Sequence, residues 1–176
     1  VPLDVIRSYD GKYKKFLHKW FEEKNLKKKD NYLVYLGQFA HISSFIDIIK
    51  NAISLNYKEI IVFEYDIYIH NDFHKYISNF NLIKEEYDIV YFGSSTHYKS
   101  KITGTFALYF KSNIFEDLLE LLELYILPTD EILTILHNIY KPYVYTPNII
   151  ISDISNSTII TNNRKDPSKL YEQFNW

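Results

Sequence analysis

The stretch Tyr57-Lys58-Glu59-Ile60-Ile61-Val62-Phe63-Glu64-Tyr65-Asp66 constrains this chain more than any other. Its apolar run has the length and β-branched content of a buried strand, and it ends abruptly in two carboxylates one residue apart. Side chains alternate across a strand, so Glu64 and Asp66 are expected on one side and Tyr65 on the other. Two carboxylates sharing one side of a strand end are costly in a core unless a cation or a sugar hydroxyl fills the space between them. Open α/β sheets bind ligands at the carboxyl ends of their strands. The segment therefore points to a divalent-metal or nucleotide-sugar site. The plainer alternative is a strand that ends in acids because the chain is emerging into solvent.

At 176 residues, 47% hydrophobic and 24% charged, the chain suits one folded domain. A formal charge of −2 leaves no electrostatic footprint for nucleic acid. Lysines cluster at Lys12–Lys19 and Lys24–Lys29, which read as solvated faces. Lysine far outnumbers arginine, and Ile and Asn are abundant, a bias that follows AT-rich codons and a low-GC genome. The absence of cysteine excludes disulfides and thiolate metal sites. No apolar run approaches the roughly 20 residues of a membrane span, and no signal peptide begins at Val1, so a cytoplasmic location is expected.

Strands alternate with helices along the chain. A short strand is expected over Val1–Ile6, stopped at Asp10-Gly11, then a basic amphipathic helix from Lys12 to about Lys27. Phe39, Ile42, Ile46, Ile49 and Ile53 recur at three- and four-residue steps, predicting a helix from Gly37 to about Leu55. The buried strand Glu59–Glu64 follows, and Asp72 is placed to cap a helix reaching Phe80. Asp88–Phe92 is a strand halted at Gly93, Ser94–Thr103 a polar irregular loop, and Phe106–Phe110 another strand. Ser112 is expected to cap a helix over Asn113–Tyr125, and Thr129 one over Asp130–Asn138. Tyr143–Tyr145 is the last strand, with a short helix near Pro167–Phe174. This alternation predicts an α/β fold in which helices flank a mostly parallel central sheet.

No Gly-rich phosphate loop, GxSxG, HExxH or literal DxD is present. What remains is an ordered set: His41 on a helix, Glu64-Tyr65-Asp66 after a strand, Asp88 through Gly93, Gly104 before a strand, and Pro128-Thr129-Asp130. Taken alone, His41 on the flank of its apolar stripe reads more readily as a hydrogen-bonded structural histidine than as a ligand contact. His70 reads as a surface histidine and Asp88 as the organiser of a turn. The Ser94–Thr103 loop, with His97 and Lys99, is either a cover over a donor or a plain surface loop.

The order and spacing of these pieces resemble glycosyltransferase family 25, the group containing lipooligosaccharide and procollagen galactosyltransferases. Its members carry Ser-His at a helix start, a strand ending in Glu-Asp-Asp, then D-I-V-Y-L-G, a G-x-x-x-Y strand and P-x-D-x-x-L. The matching segments here are Ala40-His41, Glu64-Tyr65-Asp66, Asp88-Ile89-Val90-Tyr91-Phe92-Gly93, Gly104 through Tyr109, and Pro128-Thr129-Asp130-Glu131-Ile132-Leu133. Ile6 through Gly11 resembles the family's A-x-D-G turn after its second strand, and Ser157-Thr158-Ile159 its closing S-D-I. Tyr65 replaces the middle aspartate, Ala40 stands where the family favours Ser, and the family's first strand has no counterpart ahead of Val1.

The resemblance implies a single GT-A-like (Rossmann-like) domain over residues 1–176. It also implies a nucleotide-sugar donor, usually UDP-linked, and inverting transfer to a glycan or protein acceptor. A departing diphosphate calls for a cation, and oxygen ligands suit Mn²⁺ or Mg²⁺. Asp66 is the candidate metal ligand, Glu64 a second ligand or ribose-hydroxyl acceptor, and His41 a diphosphate or acidic-strand contact. Asp130 is the candidate base, with Glu131 the weaker choice and a helix-cap role the alternative for Asp130. Two competing readings are a non-catalytic GT-A-like module that binds a glycan or protein, and a nucleotidyltransferase. The latter lacks its usual Gly- and basic-rich triphosphate loop.

Overall fold

The computed structural model describes residues 13, 15, 36–98 and 101–153. The expectations for Val1–Ile6, Asp10-Gly11, Ser157–Ile159 and Pro167–Phe174, and all but two residues of the basic helix, lie outside them.

Helix α1 spans Leu36–Ser54. Ile42, Phe45, Ile46, Ile49 and Ala52 form its buried stripe, with Phe39 and Ile53 packed at the margins. The helix ends with Asn56 in the left-handed region (φ 53°). There the Tyr57 N–H donates to Ala52 O, and the Asn56 N–H to Ile53 O. This is a Schellman cap with asparagine where glycine is commoner. It turns the chain into β1 (Glu59–Phe63).

The remaining elements follow in order. Strand β2 (Ile67–Ile69) is succeeded by two short helices, α2 (Phe73–Ile77) and α3 (Phe80–Glu86), and by β3 (Ile89–Tyr91). Strands β4 (Thr96–Tyr98), β5 (Lys101–Thr103) and β6 (Ala107–Lys111) come next. After a 3-10 turn come α4 (Phe115–Leu122), α5 (Thr129–Leu136), β7 (Pro142–Val144) and β8 (Ile150–Ser152). The helix expected from Asp72 to about Phe80 ends at Ile77, a separate helix follows from Phe80, and Asp72 makes no side-chain cap. Ser112 likewise opens the 3-10 turn rather than capping α4.

Four strands form one sheet in the order β1-β6-β3-β7. β6 runs antiparallel to β1 and β3, and only β3 and β7 are parallel. The sheet is therefore mixed, where strand–helix alternation predicts a mostly parallel one. The cause lies between β3 and β6. A parallel pair needs a long crossover, usually a helix, whereas a short return gives an antiparallel pair. Here the return is itself a hairpin: β4 and β5 pair antiparallel, Thr96 opposite Thr103. The Ser94–Thr103 segment is thus regular structure rather than an irregular loop. Ile102 is buried in the core and anchors β5. β2 and β8 form a further two-stranded ladder that periodicity does not reveal.

Helices cover both faces of the sheet. Ile89 and Tyr91 of β3, with Leu108 and Phe110 of β6, pack with α1, α4 and α5. The alternate residues Val90, Ala107 and Tyr109 face a second core with Phe92, Phe106, Ile83 of α3, Tyr145 and Ile150. β1 is less buried than expected: only Val62 is fully enclosed, and Phe63 is 50% exposed. Its outer side meets no strand among the described residues. Within α4, the buried carboxylate of Asp117 accepts hydrogen bonds from the Tyr13 and Tyr140 hydroxyls, which offsets the cost of enclosing a charge.

Gly93 marks where β8 passes closest to the sheet. A Cβ there would lie 1.9 Å from the Ile150 carbonyl oxygen, a backbone atom that cannot swing aside. Gly93→Ala should therefore cost about 2 kcal/mol or more, read as a lowered denaturation midpoint with unchanged slope.

Candidate functional site

Four polar side chains from four separate elements meet beside the end of β1. His41 comes from the second turn of α1, and Glu64 directly follows β1. Thr105 follows Gly104 on the way into β6, and Thr129 is the first residue of α5. His41 Nε2 lies 3.1 Å from Glu64 Oε1, and His41 Nδ1 lies 3.0 Å from Thr129 Oγ1. The Thr105 hydroxyl donates to Glu64 Oε1 at 3.0 Å and sits 3.2 Å from His41 Nε2. The His41 ring leans on Phe45, their centroids 4.8 Å apart, which fixes its plane.

Gly104 makes the Thr105 contact possible. Its φ of +105° suits glycine, and a Cβ there would come within 2.7 Å of the Phe106 ring. The hairpin above it is clamped at its base. Ser95 N–H and the Ser94 hydroxyl both donate to Thr103 O, while Asn148 exchanges hydrogen bonds with the Ser94 backbone.

The strand itself stops at Phe63. Glu64 extends the pairing by one bond, from its N–H to Phe106 O, and Tyr65 and Asp66 form a bend leading into β2. Glu64 and Asp66 are thus neighbours across a bend, not alternate residues of one strand. Tyr65 projects fully into solvent, 100% exposed. Asp66 turns inward: its Oδ1 is buried without a hydrogen-bond partner among the described residues, and its carbonyl accepts the Asp153 N–H.

The two carboxylates are pushed in opposite directions. Burial alone drives the Glu64 carboxyl up, but its hydrogen bonds with His41 and Thr105 outweigh it and hold Glu64 below its ordinary range. Asp66 is raised, chiefly by burial and then by the negative charges of Glu64 and Asp153, with its own backbone N–H a partial offset. Divergent pKa values within one acidic pair are a common property of functional sites.

Asp130 follows Thr129 in the chain, so its backbone adjoins this cluster. Its Oδ1 accepts the Glu131 N–H at 3.0 Å, the first-turn contact of an N-terminal helical acid. Together with burial, its charge raises the Tyr91 hydroxyl well above the ordinary value. His70, expected at the surface, is buried. Its Nδ1 accepts the Asp72 N–H, and its ring meets Tyr76 edge-on. Asp88, expected to order a turn, instead ties distant segments together, accepting from the Lys141 N–H and the Asn113 amide. His97 falls in β4, and Lys99 lies outside the described residues.

Comparison with protein-family models and with curated proteins finds no match. No helix among the described residues is long and apolar enough to cross a membrane.

Residue pattern alone does not single out Thr105 or Thr129 as site residues. Their hydroxyls act on partners 41 and 88 positions away, with no local signal beyond a glycine before one and a proline before the other. Thr129, expected as a helix cap, makes no capping bond and spends its hydroxyl on His41.

Among the described residues, no three His, Asp or Glu side chains converge to hold a metal by themselves. The donor set nevertheless fits a cation carried in with a phosphate ligand. Mg²⁺-type ions commonly take one or two protein carboxylates and complete their shell from phosphates and water, and Asp66 offers a carboxylate oxygen with no partner among the described residues.

That unpartnered oxygen makes Asp66 a local source of instability. Asp66→Asn should stabilise the metal-free protein by on the order of 1 kcal/mol, seen as a raised melting temperature. Glu64 should behave oppositely. Its folded-state pKa is depressed, so its contribution is present above its ordinary value of 4.5 and is lost as pH falls through the folded value. Glu64→Gln should thus cost stability at neutral pH, with the gap to the parent protein closing in acid denaturation series.

Proposed function

We propose that this chain is a GT-A-like glycosyltransferase domain that moves a sugar from a nucleotide-sugar donor, UDP-linked, to an acceptor hydroxyl with inversion. The observation that carries this reading is the cluster beside the end of β1: His41 and Glu64 in direct contact, with Asp66 beside them holding an unsatisfied, inward-turned carboxylate oxygen. A buried carboxylate oxygen without a partner costs stability, and such costs are retained at sites where a ligand removes them.

Asp66 is the residue to hold Mn²⁺ or Mg²⁺, which would supply Lewis-acid neutralisation of the diphosphate charge. Glu64 is held ionised, with two donors on Oε1, and suits a ribose or sugar hydroxyl as acceptor. Asp130, at the start of α5, takes the proton from the acceptor hydroxyl. The anomeric carbon–phosphate oxygen bond breaks with its electron pair leaving on the diphosphate. The acceptor oxygen forms the new bond from the opposite face.

Tyr65 favours a second reading. It stands between the two carboxylates, is fully exposed, and adds no oxygen ligand to the bend. A GT-A-like module that binds a glycan or protein without turnover needs only the scaffold around it. Calorimetry separates the two. A transferase binds UDP when Mn²⁺ is present and loses that binding in Asp66→Ala, whereas an interaction module is indifferent to both. Asp130→Asn should then abolish transfer while leaving UDP affinity within about twofold. Normal turnover by that variant would remove Asp130 from the base role.

A further inference from the structure

We propose that Thr129 is a positioning residue that fixes His41 in the tautomer carrying its proton on Nε2, so that Glu64 meets a ligand hydroxyl through Oε2. The inference deepens the site reading above and rests on it only for the identity of the ligand.

The argument is a count of protons in a closed network. Thr129 is 2% exposed, and its hydroxyl contacts His41 Nδ1 at 3.0 Å. If Nδ1 carried a proton, in the other neutral tautomer or in the imidazolium, the Thr129 oxygen would have to accept it. The buried Thr129 hydrogen would then have no acceptor among the described residues. In the neutral tautomer Nε2 would also turn a lone pair toward the Glu64 oxygen 3.1 Å away, two acceptors facing each other, which the Thr105 hydroxyl could relieve only by giving up its bond to Glu64. With the proton on Nε2 every donor is used. Thr129 O–H donates to Nδ1, Nε2–H donates to Glu64 Oε1, and Thr105 O–H donates to the same oxygen. The 3.2 Å separation of Nε2 from Thr105 Oγ1 lets the ring proton lean toward both. Buried polar groups are paired in nearly every case, and the second of these hydrogen bonds on a histidine ring sets which nitrogen holds the proton.

Both protein donors then fall on Oε1, and Oε2 accepts no hydrogen bond among the described residues. A carboxylate fixed on one oxygen and open on the other accepts a single hydroxyl in a defined direction. That chemistry fits one hydroxyl of a ribose or hexose, and Thr129 orients it from two residues away through the imidazole without touching the ligand.

The test is a long-range proton–nitrogen correlation spectrum of the ¹⁵N-labelled full chain near neutral pH, with His41 assigned by its loss in His41→Gln. The expected spectrum shows a pyridine-like Nδ1 and a pyrrole-like Nε2, together with a slowly exchanging Thr129 hydroxyl proton coupled through space to the imidazole. Thr129→Ser should preserve this pattern. Thr129→Val should move both ring nitrogens toward averaged values and weaken UDP binding roughly threefold to tenfold. A pyrrole-like Nδ1 in the parent protein overturns the inference, as does an unchanged pattern in Thr129→Val. Should the valine variant not fold, the parent spectrum decides: the Thr129 hydroxyl proton is either held against the ring or it is not. A confirmed tautomer with no UDP binding in any variant sinks the nucleotide-sugar reading and leaves the role of Thr129 standing.

Discussion

β6 is enclosed on both faces and paired along both edges, and the architecture follows from that. Leu108 and Phe110 enter one core while Ala107 and Tyr109 enter the other. Such a strand has nowhere to shift: a one-residue slip would exchange large and small side chains between two packed layers. Its direction is set by the hairpin that feeds it. Because β4 and β5 turn the chain back at once, β6 must run against β3, and β1 pairs antiparallel on its far side. The entry to β6 is also the point at which Gly104 and Thr105 reach the His41–Glu64 pair, so the packing that locks this strand also sets one wall of the site.

Electrostatics divides that site into a satisfied half and an unsatisfied half. Glu64 is stabilised as an anion by a histidine and a hydroxyl, and Asp66, two residues on, is penalised by burial and by its acidic neighbours. The contrast arises from the bend at Tyr65-Asp66, which sends one carboxylate toward α1 and turns the other beneath the chain. Two acids on a straight strand end would share one environment. The bend gives them different ones, and hence different chemistry.

Much of this is legible in the sequence. The stripe from Phe39 to Ile53 marks α1 because a helix facing a sheet must repeat its apolar residues at three- and four-residue steps. The core segments of β1, β3 and β6 stand out as short apolar runs. His41, Glu64 and Asp66 were recognisable as a group, and the structure brings His41 and Glu64 into contact. What escaped the sequence depends on partners remote in the chain. β2 and β8 are three-residue ladders whose pairing is set by Gly93 admitting the β8 backbone, not by any local pattern. The β4–β5 hairpin reads as a polar loop from its residue types, although Ile102 is drawn into the core. Sheet direction was misread because alternating strands and helices look alike whether or not a hairpin intervenes. Thr105 and Thr129 acquire their roles only from the imidazole between them.

The His41 network also bears on how the chain folds. Its three bonds to His41 close loops of 23, 64 and 88 residues. Closing long loops costs entropy before any contact returns it, and topologies rich in such contacts fold slowly. No fragment that stops short of Thr129 can complete the cluster, so an emerging chain can bury its helical stripes well before its polar centre exists. Assembly of that centre is therefore a late event, and its completion reports that α1, the end of β1, the entry to β6 and the start of α5 have come together.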